Sequence, residues 1–336
     1  MARAGFRMPG EFEPQRRVWL SRPDNPDTWP GALEKAQEQH AAWTAALEEV
    51  VGVAVVQDAV PAASPEDAWI RDWGPFFLVD DRGNLAAHDF RFNSWGGKYP
   101  PWERMDAAAA AILDHVESER PGLRRFRHET VLEGGAFSVN GKGKVLTTEA
   151  CLLHARRNPG ETRASVERLF AESFAAPEVI WLGDGIAGDD TDGHVDDCAQ
   201  FASPDAVLAL DAPPGHRDHP ALSANLATLR AHGGFAVHTL PSVEPGLFYD
   251  PATGRLGDDP SAGELVPASH ANFLISNGSL FLPVFGGPTD DAALRAAESA
   301  APHLKVVPTR AEWLVVGLGS LHCLSQQEPL VASPFN

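Results

Sequence analysis

An α/β protein assembled from repeated helix–strand units is predicted by three features of this 336-residue sequence. Amphipathic helical stretches recur at roughly sixty to seventy residues, a period too long for the common solenoids but suited to a β-β-α-β unit. A short β-branched or apolar run follows each helix, which is the alternation of an α/β protein. After each helix and strand comes a compact cluster rich in Gly, acidic, His or Asn residues.

The first helix opens at Pro30-Gly31 and places Leu33, Ala36, His40, Trp43, Leu47 and Val50 on one face at three- and four-residue spacing; Gly52 stops it. The same start and stop chemistry predicts helices over about Met105–Glu119, Thr162–Phe174, Pro220–His232 and Thr289–Ala300. The strands expected to follow are Val53–Val56, Val179–Leu182, Phe235–Leu240 and Leu304–Val307, with a weaker, arginine-containing run at Leu123–Phe126. No low-complexity tract or hinge divides the chain. Pro241–Pro260 reads as a long loop, so residues 1–336 are expected to form one domain. If the units pack around a common axis, their clusters converge there; in ordinary α/β alternation the clusters are simply turns. Spacing alone leaves both readings open.

Charge narrows the function. Lys+Arg total 27 against 46 Asp+Glu, a net charge of −19 at pH 7. Such a surface repels phosphate backbones and anionic lipid, which argues against nucleic-acid and membrane-surface roles and favours cationic small molecules. No apolar run approaches the roughly 18 residues a membrane helix needs, and the N-terminus lacks the apolar core of a secretion signal. The three cysteines, Cys151, Cys198 and Cys323, lie far apart without a C-x-x-C, as expected of a reducing cytoplasm.

The clusters carry the chemistry. Asp67-Ala-Trp69-Ile-Arg71-Asp72-Trp73 sets carboxylates beside indoles, a combination suited to a planar cation through charge-assisted hydrogen bonds and cation–π contact; a structural Arg–Asp pair with core tryptophans is the alternative. Glu133-Gly134-Gly135 gives an acid two permissive backbone positions. The acidic stretch 188–197 resists a calcium reading, because counting back from Gly193 puts Gly188 at loop position one and Ala199 at position twelve. Zinc would need more His or Cys than His194 and Cys198 supply. What remains is a histidine among carboxylates, with His194 and Asp196 on one face of an extended segment, half of an acid–base group. Cys151 and Cys198 read as small buried hydrophobes. Cys323 differs: glycines at 317 and 319, His322 and paired glutamines surround it, the setting of a candidate nucleophile.

Together these motifs resemble the agmatine deiminase family of the guanidine-modifying (pentein) superfamily, to which bacterial peptidylarginine deiminases are related. The likeness runs from Met8-Pro-Gly-Glu-Phe-Glu-Pro14 through Trp69-Ile-Arg-Asp72-Trp-Gly-Pro75, Phe92-Asn-Ser-Trp-Gly-Gly97, Leu132-Glu-Gly-Gly135 and Arg157-Asn-Pro159. It continues through Thr191-Asp-Gly-His-Val-Asp196 and Pro267-Ala-Ser-His-Ala-Asn272 to His322-Cys323-Leu-Ser-Gln-Gln327. The resemblance implies a five-bladed α/β propeller of ββαβ modules with pseudo-fivefold symmetry. It implies hydrolysis of agmatine to N-carbamoylputrescine and ammonia in polyamine metabolism, without metal or organic cofactor. Carried over, Cys323 is the nucleophile, His194 the acid–base, and Asp72 and Asp196 the guanidinium clamp. Glu133 partners His194, and Trp69 and Trp73 line the substrate site. The partner is a small cationic guanidine, and a homodimer is expected. Trp73 stands where the family usually carries threonine, and Asp197-Cys198 where Asn-Phe is usual. Deimination of peptidylarginine or another guanidine, and guanidinium or polyamine binding without turnover, are the alternatives.

Overall fold

The computed structural model describes residues 5–63 and 65–331; the outermost ends of the expected 1–336 domain lie outside them. Five long helices are present among the described residues: α1 (Leu33–Glu48), α2 (Glu103–Glu119), α3 (Arg163–Phe174), α4 (His219–His232) and α5 (Asp290–Ala300). Each lies within a few residues of its expected span. The helix expected to begin at Thr162 has that residue as its cap, with reciprocal bonds between Thr162 and Ser165 satisfying backbone N–H groups at its start.

Each helix belongs to one sheet of the same topology. A strand pairs antiparallel with a second, and the second pairs parallel with a third that follows the helix. In the second unit these are Phe76–Asp80, Leu85–Arg91 and Arg124–Val131 around α2, with Phe6–Arg7 added at the edge. The third unit has Phe137–Val139, Lys144–Thr148 and Glu178–Leu182 around α3. In the fourth, Ala199–Ser203, Ala206–Asp211 and Ala236–Pro241 surround α4. The fifth uses Leu274–Ser276, Ser279–Val284 and Lys305–Arg310 around α5. The first unit is completed by the far end of the chain: Ser325–Pro329 pairs antiparallel with Gln15–Leu20, which pairs parallel with Gly52–Val55. Five ββαβ units are thus present, as five separate sheets; no hydrogen-bonded closed sheet joins them among the described residues.

Two expectations change. The run expected as a weak strand at Leu123–Phe126 is an eight-residue strand, Arg124–Val131, held by parallel pairing to Leu85–Arg91. The stretch expected as a loop, Pro241–Pro260, contains strands Leu247–Asp250 and Arg255–Gly257, which join Glu264–Val266 in a sixth small sheet. Gly and Pro punctuation hid hairpin strands of only three or four residues.

Apolar faces of neighbouring units share cores. Phe76 and Phe90 of the second unit pack with Phe137, Phe170 and Phe174 of the third, ring centroids 5.2–6.1 Å apart around Phe174. Phe174→Ala, removing a ring shared by two units, is expected to destabilise the fold by about 3–5 kcal/mol in chemical denaturation.

Candidate active site

One catalytic-type cluster precedes the first strand of every unit, so the pairing of that strand fixes where the side chain points. Asp72 precedes Phe76, Glu133 precedes Phe137, and His194 and Asp196 precede Ala199; Asn272 precedes Leu274, and Cys323 precedes Ser325. The clusters are bonded to one another. The Gly135 N–H donates to Asp72 Oδ1 and the Trp95 indole to Asp72 Oδ2, both at 2.9 Å. His194 Nε2 lies 2.9 Å from Glu133 Oε2, and His322 Nδ1 2.7 Å from Asp196 Oδ2. The Asn272 amide donates to Asp197 Oδ1 at 3.0 Å and to Cys323 Sγ at 3.1 Å. Cys323 Sγ is 3.8 Å from Asp196 Oδ2.

Asp72 and Cys323 line a cavity of about 840 Å³ together with Trp69 and Trp95. His194, Glu133 and Asp196 are essentially inaccessible beneath it. Two buried atoms there have no hydrogen-bond partner, His194 Nδ1 and Asp196 Oδ1, which are 4.0 Å apart; Asp72 Oδ1 is 3.8 Å from the same nitrogen. Close approach of backbone makes this convergence feasible. A Cβ at Gly135 would lie 2.3 Å from His194 Nδ1, and one at Gly319 would lie 2.6 Å from the Trp69 ring and 3.1 Å from Cys323 Cβ.

Of the residues named from sequence, Asp72, Glu133, His194, Asp196 and Cys323 come together, and Trp69 walls the cavity while packing on Trp29 at 5.2 Å. Trp73 does not line the cavity. It is buried in the hydrophobic core at the end of the one-turn helix Ile70–Trp73, its indole N–H without a partner. The segment around His194 is also not extended: Val195–Asp197 forms a 3₁₀ turn, which brings His194 and Asp196 together by another route. Arg71 pairs with Glu11 rather than with a neighbouring aspartate.

Several residues of the site were not assigned from sequence. Arg157 donates Nε to Glu133 Oε1 at 3.0 Å and Nη2 to Oε2 at 3.1 Å, and also holds Asp192 and the Thr191 carbonyl. Cys151, expected as a plain hydrophobe, points its thiol at Glu133 Oε2 at 3.7 Å. Trp95, Asn272, His322 and Glu11 complete the set. Only their presence in the quoted motifs hinted at them.

Residues 7–329 match the Porphyromonas-type peptidyl-arginine deiminase family across nearly the whole chain. The chain belongs to that family. It is 35% identical to the agmatine deiminase of Pseudomonas syringae pv. tomato, over 98% of this chain and 96% of that one. It is 35% identical to the agmatine deiminase of Pseudomonas putida, over 97% and 96%. The solved agmatine deiminase of Enterococcus faecalis superposes with a TM-score of 0.87 at 32% identity, covering 97% of this chain and 96% of that one. A looser likeness in fold, TM-score 0.52 at 15% identity, is to the DDAH of Pseudomonas aeruginosa, covering 94% and 99%.

In this deiminase-family chain the site's electrostatics follow from crowding carboxylates out of water. Burial pushes Asp72 up to about 6, with Glu133 and Asp196 adding to the rise and His194 opposing it. Burial and the charges of Asp196 and Asp189 drive Asp197 well above the usual carboxylate range. Burial alone would neutralise His194, but Asp72 together with the bonds to Cys151 and Glu133 holds it well above an ordinary histidine. Glu133 is also buried, yet His194 and Arg157 keep it below its ordinary value. The Cys323 thiol is pushed well above 9 by burial and by Asp196, Asp197 and Asp72, against the Asn272 bond.

Among the described residues, two groups bring metal-ligand atoms within 4.8 Å of each other, Glu133–Cys151–His194 and Asp196–Asp197–Cys323. Protein donors already engage them: Arg157 and His194 hold Glu133, His322 holds Asp196, and Asn272 holds Asp197 and the thiol. We assign them no metal. No described helix is long and apolar enough to cross a membrane.

A buried thiol ringed by carboxylates is a poor nucleophile until a cation arrives. Labelling of Cys323 by iodoacetamide in the free protein is expected to be slow at pH 7 and to rise only above pH 9. The anionic iodoacetate should lag behind it; equal rapid labelling by both at pH 7 would contradict this electrostatic picture.

Proposed function

We propose that this chain hydrolyses agmatine and water to N-carbamoylputrescine and ammonia through a covalent Cys323 intermediate. The observation that carries the reading is that Cys323 and Asp72 line the cavity, with Asp196 3.8 Å from the thiol and the unpartnered His194 Nδ1 3.8 Å from Asp72 and 4.0 Å from Asp196. A guanidinium has a pKa above about 12 and remains cationic, so opposed carboxylates can grip its nitrogens and present its carbon to sulfur.

Its charge also favours the thiolate that the free site disfavours, so the thiol proton is lost to water as the cation binds. The Cys323 sulfur attacks the guanidinium carbon, forming a C–S bond and a tetrahedral centre. His194, cationic beside Glu133, gives its proton to one nitrogen; the C–N bond breaks and ammonia leaves, producing an S-alkylthiouronium. His194, now neutral, takes a proton from water as the oxygen attacks the same carbon. The C–S bond then breaks, releasing the ureido product and restoring the thiol. Asp72 and Asp196 hold the cation throughout.

The outer cavity supports a substrate with a second cationic end. Asp24, Asp27, Glu66, Asp67, Asp190 and Glu264 line it, and the cations there, Lys98 and Arg104, are already paired with Asp190, Asp192 and Glu66. Agmatine's amine suits such a wall, whereas the carboxylate of free arginine is repelled.

Ammonia release from agmatine, arginine, a blocked arginyl peptide and methylguanidine, without added metal, tests the reading. Agmatine is expected to exceed arginine by at least about a hundredfold in kcat/KM. Cys323→Ala is expected to lose at least about a thousandfold in kcat. Rapid quench of wild type should trap protein carrying the mass of agmatine less ammonia. Turnover by Cys323→Ala at the wild-type rate would overturn the mechanism, and silence toward agmatine would overturn the substrate.

The acid side of the pH profile has a defined sign. Asp72 must be ionised to bind the cation and is raised to about 6 in the free protein, so kcat/KM should fall as pH drops through about 6. Gly135→Ala, whose methyl intrudes on His194, is expected to fold yet lose at least about a hundredfold in kcat.

A further inference from the structure

We propose that Glu11 and His322 are a positioning pair that keeps Asp196 ionised beside the nucleophile, so that cation capture depends on a carboxylate supplied by the N-terminal segment. This deepens the reading of the site as a guanidine hydrolase and rests on it.

Glu11 belongs to the Met8–Pro14 motif, for which the reaction steps above have no use. From the thiol outward a continuous line of polar contacts reaches it. Cys323 Sγ lies 3.8 Å from Asp196 Oδ2, which lies 2.7 Å from His322 Nδ1; His322 Nε2 lies 3.0 Å from Glu11 Oε2. The same Glu11 oxygen accepts from Arg71 Nη2 at 3.1 Å, and Oε1 accepts the Ile275 N–H at 2.7 Å. His322 is 3% exposed and Asp196 fully buried.

A neutral imidazole has one N–H and one acceptor nitrogen, so it can donate to only one of two flanking carboxylates. With an ionised carboxylate oxygen on each ring nitrogen, His322 satisfies both only as the imidazolium. Glu11 therefore sets its charge. Without the Glu11 charge, a neutral tautomer suffices for Asp196, and the nearby Arg71 guanidinium opposes a second positive charge.

The charged or titratable groups facing His322 are Asp196 from the turn before Ala199, Glu11 from the N-terminal segment, Arg71 from the helix Ile70–Trp73, and the adjoining Cys323. Arg71 is itself anchored, donating Nε to the His322 carbonyl at 3.1 Å and Nη1 to Gln327 at 2.7 Å. Burial and Arg71 both pull His322 down, and Glu11 with Asp196 outweighs them, leaving it raised. Because His322 occupies Asp196 Oδ2, the unpartnered Oδ1 is the atom left for substrate.

Glu11→Gln keeps the size and the acceptor for Ile275 while removing the charge. His322 should be the imidazolium at pH 8 in the wild-type full chain, read by NMR of histidine-labelled protein and assigned with His322→Gln. In Glu11→Gln its titration midpoint is expected to fall by at least about one pH unit. Because a carboxylate needs no help to ionise at high pH, the deficit of Glu11→Gln in kcat/KM for agmatine is expected to grow at least about tenfold as pH falls from 9 to 6, chiefly in KM. A merely structural role would give a deficit constant with pH.

A neutral His322 at pH 8 in the wild type would overturn the proposal, as would a pH-independent deficit in the variant. If the wild type hydrolyses no guanidine, the substrate reading fails on its own, while the NMR titrations still judge the pair.

Discussion

Taking Asp72, Glu133, Asp196 and Asp197 out of water at one end of a cavity costs several kcal/mol per ion before their mutual repulsion is counted. The site tolerates this because cations are built in beside them. His194 and Arg157 lie on Glu133, His322 lies on Asp196, and Arg71 steadies Glu11. With Glu11 included, five carboxylates face four cationic groups, and the shortfall appears where no cation donates a hydrogen bond. Asp72 is driven up to about 6 and Asp197 well above its ordinary value. A bound cation lowers the energy of the same arrangement. Affinity for a guanidinium is thus the counterpart of strain the fold carries without one.

That constraint explains why the site draws on all five units. Charges of both signs must meet within a few ångströms while their backbones stay hydrogen-bonded, and no single loop can supply this. Each group instead sits two to five residues ahead of a paired strand, whose register fixes its direction. Gly135 and Gly319 let neighbouring loops come closer than any side chain would permit.

The sequence made much of this visible and hid the rest for identifiable reasons. Amphipathic spacing located all five long helices, because each has a buried stripe such as Ala36, His40, Trp43 and Leu47 in α1. The five clusters stood out by composition, and the motif resemblance named the five residues that the structure brings together. Trp73 was misplaced because composition cannot tell which of two neighbouring buried indoles reaches a cavity and which stays within the core. The links from Glu11 to His322 and from Arg157 to Glu133 join residues 311 and 24 positions apart, and no local pattern announces such pairs. Cys151 looked inert since nothing in its neighbourhood in sequence places it against Glu133.

The two histidines show how one device serves two ends. Each is held by a glutamate that is itself clamped by a buried arginine: His194 by Glu133 and Arg157, His322 by Glu11 and Arg71. They differ at the second nitrogen. His322 Nδ1 is engaged by Asp196, so losing a proton there would break a charge-assisted bond. His194 Nδ1 has no partner and faces the space between Asp72 and Asp196, so it can give up and regain a proton without unmaking the site. The imidazole with a free edge is therefore suited to proton transfer, and the one bonded on both edges to holding a fixed positive charge.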